Sequence, residues 1–205
     1  MKKHLLATAT IAALAFTASP AFAKVTDSAP DFSFVEANFI KMDIDVPGED
    51  VELEADGIEF KGAFEISDKA FMHFSYSNPE LDIVDVGMDM YTVGVGARHA
   101  LSARTSLFGT VDYIRVETDD VSFGYDTLNG ESFNGFGLNA GVKSRIAPEI
   151  ELTGILSYAD VDEVDDGVSA TAEVRYFFTN ELAVGLSYTV AEDTDTLSVG
   201  ARYSF

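Results

Sequence analysis

LSVGARYSF, residues 197–205, is the stretch that decides the fold. Apolar residues alternate in it with small or charged ones, and a period of two is typical of a β-strand with two different faces. The same alternation runs through residues 58–66, IEFKGAFEI. In a soluble sandwich the apolar face would point inward, whereas in a membrane barrel it points outward to lipid and the other face lines the lumen. The alternation alone leaves both alternatives open.

Composition and charge narrow the class of protein. The chain has 205 residues, a length that suits one domain. Its 35 acidic residues against 13 Lys and Arg give a net charge of -22, which argues against nucleic acid because no basic surface can neutralise phosphates. Cysteine is absent, so disulfides and thiolate chemistry are excluded. With 16 Phe and 8 Tyr, the chain is too rich in aromatic residues to be disordered.

The first 23 residues have the layout of a secretory signal peptide. Two lysines form a positive start, an apolar run follows over residues 5–16, and Ala21-Phe22-Ala23 provides a small-x-small cleavage site. We therefore assign residues 1–23 to a cleaved signal peptide and residues 24–205 to the mature domain. A retained membrane anchor is the alternative, but the apolar run is too short to span a bilayer comfortably. With no other run of 18 apolar residues, a soluble periplasmic protein, a secreted protein or a β-barrel remains.

A repeat of tyrosines favours the membrane alternative. Four segments follow a short polar turn and carry a tyrosine six residues after their start, on the same strand face. Tyrosines that recur at one level of a sheet predict an aromatic girdle at a membrane interface. Tyr176 and Tyr203, near the opposite ends of other strands, are predicted to lie in the second girdle. The four segments end at Tyr76, Tyr113, Tyr158 and Tyr188.

The predicted connections fall into two classes by length. Short turns precede the four tyrosine segments, whereas the connections at the opposite ends of the strands are longer and acidic. Outer-membrane barrels have short turns on the periplasmic side and long loops outside the cell. This asymmetry favours a membrane barrel over a soluble one. The longer connections are predicted at residues 46–55, 78–86, 118–132, 160–167 and 191–196.

Ten strands are predicted, most of them near the roughly 9–11 residues that a tilted membrane strand needs. An even number puts both chain ends on the periplasmic side, as single-chain bacterial barrels require. The third strand should end by Asn78, because Pro79 cannot donate to a ladder. Eight strands is the alternative, if the short third segment and its partner are not full crossings. The ten strands are Phe32–Asp45, Gly57–Ile66, Ala70–Ser77, Gly87–His99, Thr105–Glu117, Phe133–Ile146, Glu151–Ala159, Val168–Phe178, Leu182–Val190 and Leu197–Phe205.

The whole mature sequence resembles the small outer-membrane β-barrel superfamily of Gram-negative bacteria, typified by the membrane domain of OmpA and by OmpX. The alternating strands, the cleavage site and the final RYSF, residues 202–205, carry the resemblance. It implies an all-β, antiparallel, up-and-down transmembrane barrel in the outer membrane. In that family the assembly machinery recognises a C-terminal Phe with an aromatic residue two positions before it. Tyr203 and Phe205 would be that assembly signal, and the partners would include outer-membrane lipids and lipopolysaccharide.

Charged side chains fall on the face that would line the lumen. Six bases and four acids share this face by strand parity, and a barrel of this size has an interior that side chains can largely fill. Because an unpaired charge away from water is costly, these charges should pair into a salt-bridged plug that holds the strands in register. A cation- or anion-selective path is the alternative. The ten residues are Glu59, Lys61, Glu65, Arg98, Asp112, Lys143, Arg145, Glu173, Arg175 and Arg202.

No catalytic or cofactor-binding residue is predicted. Once the signal peptide is removed, the only histidines are His73 and His99, and both are predicted near the periplasmic ends of their strands. A general base must lie within hydrogen-bond reach of its proton, so neither histidine can act with the outer loops. No Gly-x-Ser-x-Gly elbow is present. We therefore expect that the protein is not an enzyme.

Two acidic clusters raise the question of metal binding. Residues 49–56 and 160–166 are rich in Asp and Glu, and hard cations such as calcium and magnesium take oxygen ligands. The EF-hand pattern fails, because Val164 stands where a ligand should be and no Glu closes the loop. We therefore assign no metal site and interpret the clusters as a solvated negative rim. Divalent cations that bridge this rim to lipopolysaccharide phosphates remain candidate partners.

Three functions follow from this interpretation, together with one non-membrane alternative. The first is a structural or surface-interaction protein with a filled lumen and acidic extracellular loops. The second is a small, porin-like path for ions or solutes, and the third and weakest is an enzyme. The non-membrane alternative is a soluble periplasmic barrel that binds an apolar ligand, and it requires the apolar face to point inward.

Overall fold

The computed structural model describes residues 29–45, 52–81, 86–118, 121–123, 126–128, 130–162 and 164–205. The alternating sequences form strands, because a period of two places apolar and polar side chains on opposite faces. The predicted signal peptide lies outside the described residues. The strands are β1 (Phe34–Asp45), β2 (Glu52–Ser67), β3 (Ala70–Leu81), β4 (Val86–Ala100), β5 (Thr105–Thr118), β6 (Val121–Phe123), β7 (Asp126–Leu128), β8 (Ser132–Ala147), β9 (Ile150–Val161), β10 (Val164–Phe177), β11 (Leu182–Val190) and β12 (Thr194–Ser204).

Ten of these strands close into one barrel. Each pairs antiparallel with its neighbours in the order β1-β2-β3-β4-β5-β8-β9-β10-β11-β12, and β12 closes on β1 with Phe34 opposite Ser204. The other two, β6 and β7, form a short hairpin between β5 and β8. The prediction of a ten-strand antiparallel barrel is confirmed, and the eight-strand alternative is wrong. No helix in the described ranges is long and apolar enough to cross a membrane.

The barrel carries its large apolar side chains on the outside. On β2, Ile58, Phe60 and Phe64 are exposed, while Lys61 between them faces the lumen. The pattern continues around the wall, where Leu156 on β9 is 63% exposed. A soluble ligand-binding barrel would need the reverse arrangement, so this alternative does not fit the structure. An outer apolar band is stable where lipid covers it.

Tyrosines mark the outward face toward the outer ends of the strands. Tyr76 donates a hydrogen bond to Asp89 at 2.8 Å, and Tyr188 donates one to Asp195 at 2.6 Å. Both pairs join a ring in the apolar band to a carboxylate nearer the rim. Tyr176 and Tyr203 are exposed near the ends of β10 and β12 on the side of the two chain ends of the barrel, which we call the periplasmic side after the sequence-based prediction. This arrangement places an aromatic body against lipid and a hydroxyl toward the polar layer.

The start of the first strand differs from the prediction. The sequence places it at Phe32, whereas β1 begins at Phe34. Phe32 is 2% exposed and packs inside the barrel against Phe71, which faces inward from β3. Phe32 shares the parity of the inward residues Glu36 and Asn38, so its inward position continues the alternation of β1, and packing against other lumen-facing rings holds it there.

The predicted end of the third strand is wrong. β3 continues past Asn78 to Leu81 and includes Pro79, which lies opposite Gly57 on β2. On the other side, the pairing of β3 with β4 skips Asn78 and Pro79. The missing N–H of proline therefore falls in a gap of the ladder, where it costs no hydrogen bond to β4. A Cβ on Gly57 would lie 2.7 Å from Pro79 Cα, so glycine permits the close approach of the two strands.

Two of the predicted long loops are short. Only residues 162–163 separate β9 from β10, and only residues 191–193 separate β11 from β12. Acidic residues at the outer strand ends face water, so their charge does not stop the ladder, and Asp195 pairs with Val190. The connection between β5 and β8 is long and contains the β6–β7 hairpin. The connections at residues 46–51 and 82–85 lie outside the described residues.

Candidate functional site in the barrel lumen

The lumen face holds the ten charged residues that the sequence assigned to it, together with two more acids. Strand alternation points all of them inward, because the residues on either side of each one along its strand belong to the outward face. The two further acids are Glu36 on β1 and Glu151 on β9, which are 8% and 1% exposed. With them, the lumen charges of the described residues are six acids against six bases, so this set is neutral.

Arg175 is the centre of a buried group of charges near the periplasmic mouth. Its side chain is 1% exposed, and its guanidinium donates to Glu36 at 2.8 Å and to Glu151 at 3.4 Å. It also forms an ion pair with Glu173, two residues before it on β10. Three carboxylates around one guanidinium compensate the desolvation of a cation that is removed from water.

Two further arginines complete this group. Arg202 donates from Nε to the same Glu36 oxygen at 2.6 Å, and Arg145 lies 3.5 Å from Glu151. Their guanidinium planes also cover lumen-facing rings, with Arg202 3.5 Å from the centroid of Phe34 and Arg145 4.0 Å from that of Phe177. We call the resulting set of three acids and three bases the mouth cluster. It consists of Glu36, Arg145, Glu151, Glu173, Arg175 and Arg202.

The mouth cluster joins strands that are not neighbours in the wall. Glu36 lies on β1 and Arg175 on β10, which are separated by β11 and β12. Contacts between them therefore run through the lumen rather than along the sheet. Because cluster residues are 8% exposed or less, apart from Glu173, water is largely excluded from this part of the barrel. An arrangement of this kind fills the lumen and fixes the relative positions of five strands.

The remaining lumen charges lie on the opposite side or higher in the barrel. Glu65 and Arg98 form an ion pair at 2.7 Å near the periplasmic ends of β2 and β4. Lys61 lies 3.0 Å from Glu59 on the same strand, and Asn38 of β1 donates to that carboxylate at 3.0 Å. These pairs account for four of the other predicted charges; one lies within β2, and the other joins β2 to β4 past β3.

Lys143 differs from the other lumen cations. Among the described residues, no carboxylate oxygen lies within ion-pairing distance of its Nζ atom. The ammonium instead donates to the carbonyl oxygen of Asp31 at 3.1 Å and lies 4.4 Å from the ring centroid of Phe32. The sequence predicted a salt-bridged partner for this lysine. In the structure its partners are instead a backbone carbonyl and an aromatic ring, both from the residues that precede β1.

A histidine and an aspartate meet in the middle of the lumen. His73 Nε2 lies 2.7 Å from Asp112 Oδ1, and Thr110 and Asn139 also donate to this carboxylate, at 3.1 and 2.5 Å. Between the two strands that carry the pair lies Gly94, where a Cβ would approach to 2.5 Å of His73 Nε2. The sequence placed Asp112 in the lumen but treated His73 as an ordinary strand histidine. The glycine was the available signal, because a side chain can cross an intervening strand only where that strand carries none.

The outer half of the lumen has a different lining. Inward positions there carry hydroxyl groups, glycine and apolar side chains rather than paired charges. The hydroxyl residues are half-buried, whereas the apolar Ile40, Ala55 and Val116 are buried. Hydroxyl groups hydrogen-bond water readily and carry no charge that must be neutralised. Water from the outside can therefore reach the hydroxyl residues, whereas the inward apolar side chains of β1, β2 and β5 are shielded from it. The hydroxyl residues are Ser75, Thr92, Ser157, Ser169, Thr171, Thr189 and Thr196.

Neither histidine nor any acidic group forms a metal centre in the part of the chain that the structure describes, since no group of three or more His, Asp and Glu side chains is close enough to hold an ion. His99 is exposed on the outward face near the periplasmic end of β4. Much of the two acidic clusters at residues 49–56 and 160–166 lies outside the described side chains, so their role in cation binding stays a prediction.

Sequence reasoning missed Glu36 and Glu151 because both lie close to the start of a strand. Each nevertheless alternates with outward neighbours, Val35 and Ala37 for the first and Leu152 for the second. The parity of the strand was therefore a sufficient signal for both. Their omission made the predicted lumen seem basic, whereas the structure shows a balanced set of charges.

Comparison with known proteins supports the architecture independently. The model of the outer membrane protein β-barrel domain family matches residues 9–166. The chain therefore belongs to this family of outer-membrane β-barrel proteins. No curated protein matches the sequence significantly.

Solved structures of outer-membrane barrels resemble the fold at low sequence identity. The translocator domain of the autotransporter NalP from Neisseria meningitidis has a TM-score of 0.51 and 14% identity, with 97% of this chain and 98% of that one covered. An outer membrane channel from Pseudomonas putida F1 has a TM-score of 0.51 and 9% identity over 87% and 97% of the two chains. Ail, the attachment invasion locus protein of Yersinia pestis, has a TM-score of 0.49 and 13% identity over 86% and 100%. At these identities the likeness concerns the fold alone.

Proposed function

We propose that this protein is a structural barrel of the outer membrane with a closed lumen and a role at the cell surface, rather than an open pore or an enzyme. The observation that carries the proposal is the mouth cluster, in which Arg175 of β10 binds Glu36 of β1 through the lumen. Ion pairs of this kind resist displacement, because removing one partner leaves a buried charge uncompensated. A lumen crossed by such contacts supports the wall and obstructs passage.

The surface part of the proposal concerns the outer rim. The chain has a net charge of -22, whereas the lumen charges balance, so the excess negative charge belongs to the outward face, the rim and the connections. We propose that the acidic connections face the outside of the cell, where divalent cations would bridge them to lipopolysaccharide phosphates. Phosphates and carboxylates repel each other directly, so the partnership depends on cations between them.

The export route is also a proposal. Residues 1–23 would be removed after Ala23, and Tyr203 and Phe205 would serve as the signal for the assembly machinery. Both side chains are exposed at the periplasmic end of the barrel, with ring centroids 6.3 Å apart, so they are accessible there. Substitution of Phe205 by Ala should lower the amount of folded protein in the outer membrane. Substitution of Phe136, which is also exposed but lies in the apolar band, should not do so to the same extent.

A small pore is the second candidate function, and the outer half of the lumen favours it. Its half-buried hydroxyl groups would support a column of water that reaches inward as far as the His73–Asp112 pair. For conduction, such a column would also have to continue through the periplasmic mouth. The mouth cluster and the aromatic side chains beside it oppose that continuation.

The proposed structural role can be tested in the native host. A strain that lacks the protein should become more sensitive to detergents that an intact outer membrane excludes, and it should release more periplasmic enzyme. Complementation with the wild-type chain should restore both properties, whereas Arg175→Met should restore them only in part. An unchanged barrier in the deletion strain would contradict a structural role.

A further inference from the structure

The segment that precedes β1 enters the lumen instead of remaining outside it. We call residues 29–33 the arm. Pro30 is fully buried and Phe32 is 2% exposed, although neither belongs to a strand. The ten strands close the barrel without the arm, so strand pairing does not explain why these two side chains are buried.

Aromatic and cationic side chains form a cradle around Phe32. The ring lies 4.8 Å from that of Phe71 and 5.6 Å from that of Phe108, measured between centroids. Lys143 Nζ lies 4.4 Å from its centroid and the Arg98 guanidinium 5.2 Å from it. A buried aromatic side chain with two cations over its faces is a strong and specific contact.

Two glycines in the wall make room for this cradle. A Cβ on Gly96 would lie 2.3 Å from Phe71 Cζ, and one on Gly141 would lie 2.5 Å from Phe108 Cζ. Each ring therefore occupies space beside a strand that has no side chain at that point. The ring of Phe32 packs against both of these rings, so the two glycines provide the space that the arm occupies.

The arm closes one side of the periplasmic mouth. Its contacts reach Lys143 on β8, which is five strands away from β1 in either direction around the barrel and so lies directly opposite. The mouth cluster occupies the side of β8 to β12, whereas the arm packs against Ala63 and Phe71 on the side of β2 to β5. Both halves of the mouth are therefore obstructed, but by different kinds of structure.

Few hydrogen bonds hold the arm, and most of them involve side chains. Phe32 N–H donates to Glu65 Oε1 at 3.2 Å, Glu65 N–H donates to Ser33 Oγ at 3.1 Å, and Lys143 donates to the carbonyl oxygen of Asp31 at 3.1 Å. One bond joins two backbones, from Phe205 N–H to the carbonyl oxygen of Ser33 at 3.1 Å. The wall strands, by contrast, are held by continuous backbone ladders on both sides. Local opening is easiest where backbone ladders are absent, so the arm can leave while the barrel stays closed.

From these contacts we infer that residues 29–33 form a displaceable plug, and that withdrawal of Phe32 opens a path for small ions along the β2 to β5 side of the lumen. The inference rests on the proposed closed lumen and adds the element that opens it. The barrel wall and the mouth cluster remain in place when the plug withdraws, because the ladders of the wall take no backbone pairing from the arm; only Phe205, after the end of β12, donates its N–H to Ser33.

Electrical recording tests the plug directly. The protein is refolded into lipid vesicles, a gel shift between unboiled and boiled samples confirms folding, and currents are recorded in planar bilayers. We expect open events to be at least about tenfold more frequent in Phe32→Ala than in the wild type, because the ring supplies most of the apolar contact that holds the arm. Phe39→Ala, which removes an exposed ring from the lipid face of β1, should behave as the wild type does.

A second variant covers the case in which Phe32→Ala does not fold. Lys143→Met keeps the length of the side chain but removes the contact with Asp31, so it should also raise the frequency of opening. Amide hydrogen exchange in the wild type gives an independent readout. The amide of Phe32 should exchange before those of residues 35–40, which belong to ladders on both sides.

The outcomes separate the plug from the proposed function. Equal currents in the wild type and in a folded Phe32→Ala or Lys143→Met protein would overturn the plug, as would exchange of the Phe32 amide only together with β1. A wild type that conducts steadily would overturn the closed lumen on its own. The ratio between wild-type and variant currents would still decide the plug in that case.

Discussion

The two halves of the lumen are built on the same strands but differ in what fills them. In the periplasmic half, Arg175 and Glu151 are each 1% exposed; they pair with each other on adjacent strands, and Arg175 also reaches Glu36 on β1. In the outer half, inward residues such as Ser157 and Thr189 are half-buried. Both halves obey the same alternation, so the difference comes from side-chain size and charge alone. The periplasmic half is packed with paired charges, whereas the outer half has hydroxyl residues that water can reach beside buried apolar residues such as Ile40 and Val116.

This difference shows how a barrel with a polar interior can be both stable and closed. Large charged side chains close the lumen only if each finds a partner, because a buried charge without one costs several kcal/mol. The mouth cluster meets this requirement with three acids and three bases. Hydroxyl groups need no such balance, since water satisfies them, and they leave the lumen open toward the outside. The paired charges that stabilise the lumen and the hydroxyl residues that water can reach therefore lie at different levels along the barrel axis.

The largest expected effect comes from removal of the central cation of the mouth cluster. Arg175→Met leaves Glu36, Glu151 and Glu173 buried without their common partner, and we expect a loss of about 3–5 kcal/mol in the free energy of unfolding. Urea titration of the protein in lipid vesicles, read by the gel shift, measures this loss. A loss below about 1 kcal/mol would mean that the cluster is as solvated as a surface pair and that the two halves do not differ.

Insertion of one charge into each half sharpens the comparison. Thr153 and Ser157 both face inward from β9, but Thr153 is 7% exposed and Ser157 is half-buried. Thr153→Arg should lower the free energy of unfolding by about 3 kcal/mol, because a packed site must accept both volume and an unpaired charge. Ser157→Arg should lower it by less than about 1 kcal/mol, because its guanidinium can reach water. Equal losses in the two variants would contradict the division of the lumen.

A smaller effect is expected at the boundary between the halves. Gly94→Ala introduces a methyl group between His73 and Asp112, and we expect a loss of about 2 kcal/mol from overpacking of this pair. The ¹⁵N chemical shifts of the His73 ring should also change, because its hydrogen bond to the carboxylate is broken. Gly154→Ala is the matched control, since its Cβ would meet only Val142 Cγ1 at 3.9 Å. Two variants of equal stability would show that the pair is not packed as described.

The smallest effect is expected at the outer rim. Lys41 faces outward, lies 3.1 Å from Glu54 and 3.2 Å from Asp43, and its side chain is 38% exposed. Lys41→Met should change the free energy of unfolding by at most about 1 kcal/mol, because exposed ion pairs contribute little. The same urea titration measures it beside Arg175→Met. A loss of unfolding free energy comparable to that of Arg175→Met would contradict the distinction between exposed ion pairs at the rim and buried ion pairs at the mouth.

Much of this architecture could be predicted from the sequence because period-two alternation determines both the strand and its faces. The inward positions of Lys61, Arg98 and Arg202 follow from that parity, and so does the count of ten strands. The predicted pairing was less complete, because partners in the mouth cluster come from strands that are distant in sequence, such as Glu36 and Arg175, 139 residues apart. Alternation assigns a residue to a face but not to a partner.

The errors have a common physical origin. The sequence began the first strand at Phe32 and ended the third strand before Pro79, and both bounds treat each strand in isolation. In the structure, Phe32 is held by rings and cations from four other strands, and Pro79 is tolerated because pairing with β4 has a gap there. Such features depend on which strands surround a residue in the folded barrel, and the local alternation of the sequence carries no information about those neighbours.

Single-channel recording of the folded wild-type protein in planar bilayers tests the central claim most directly. We expect insertion without steady current, because the mouth cluster and the arm together obstruct the periplasmic end. Only brief openings, as the arm withdraws, are expected. A steady, ohmic conductance in every inserted wild-type barrel would contradict it, and would mean that water and ions pass the mouth despite its ion pairs.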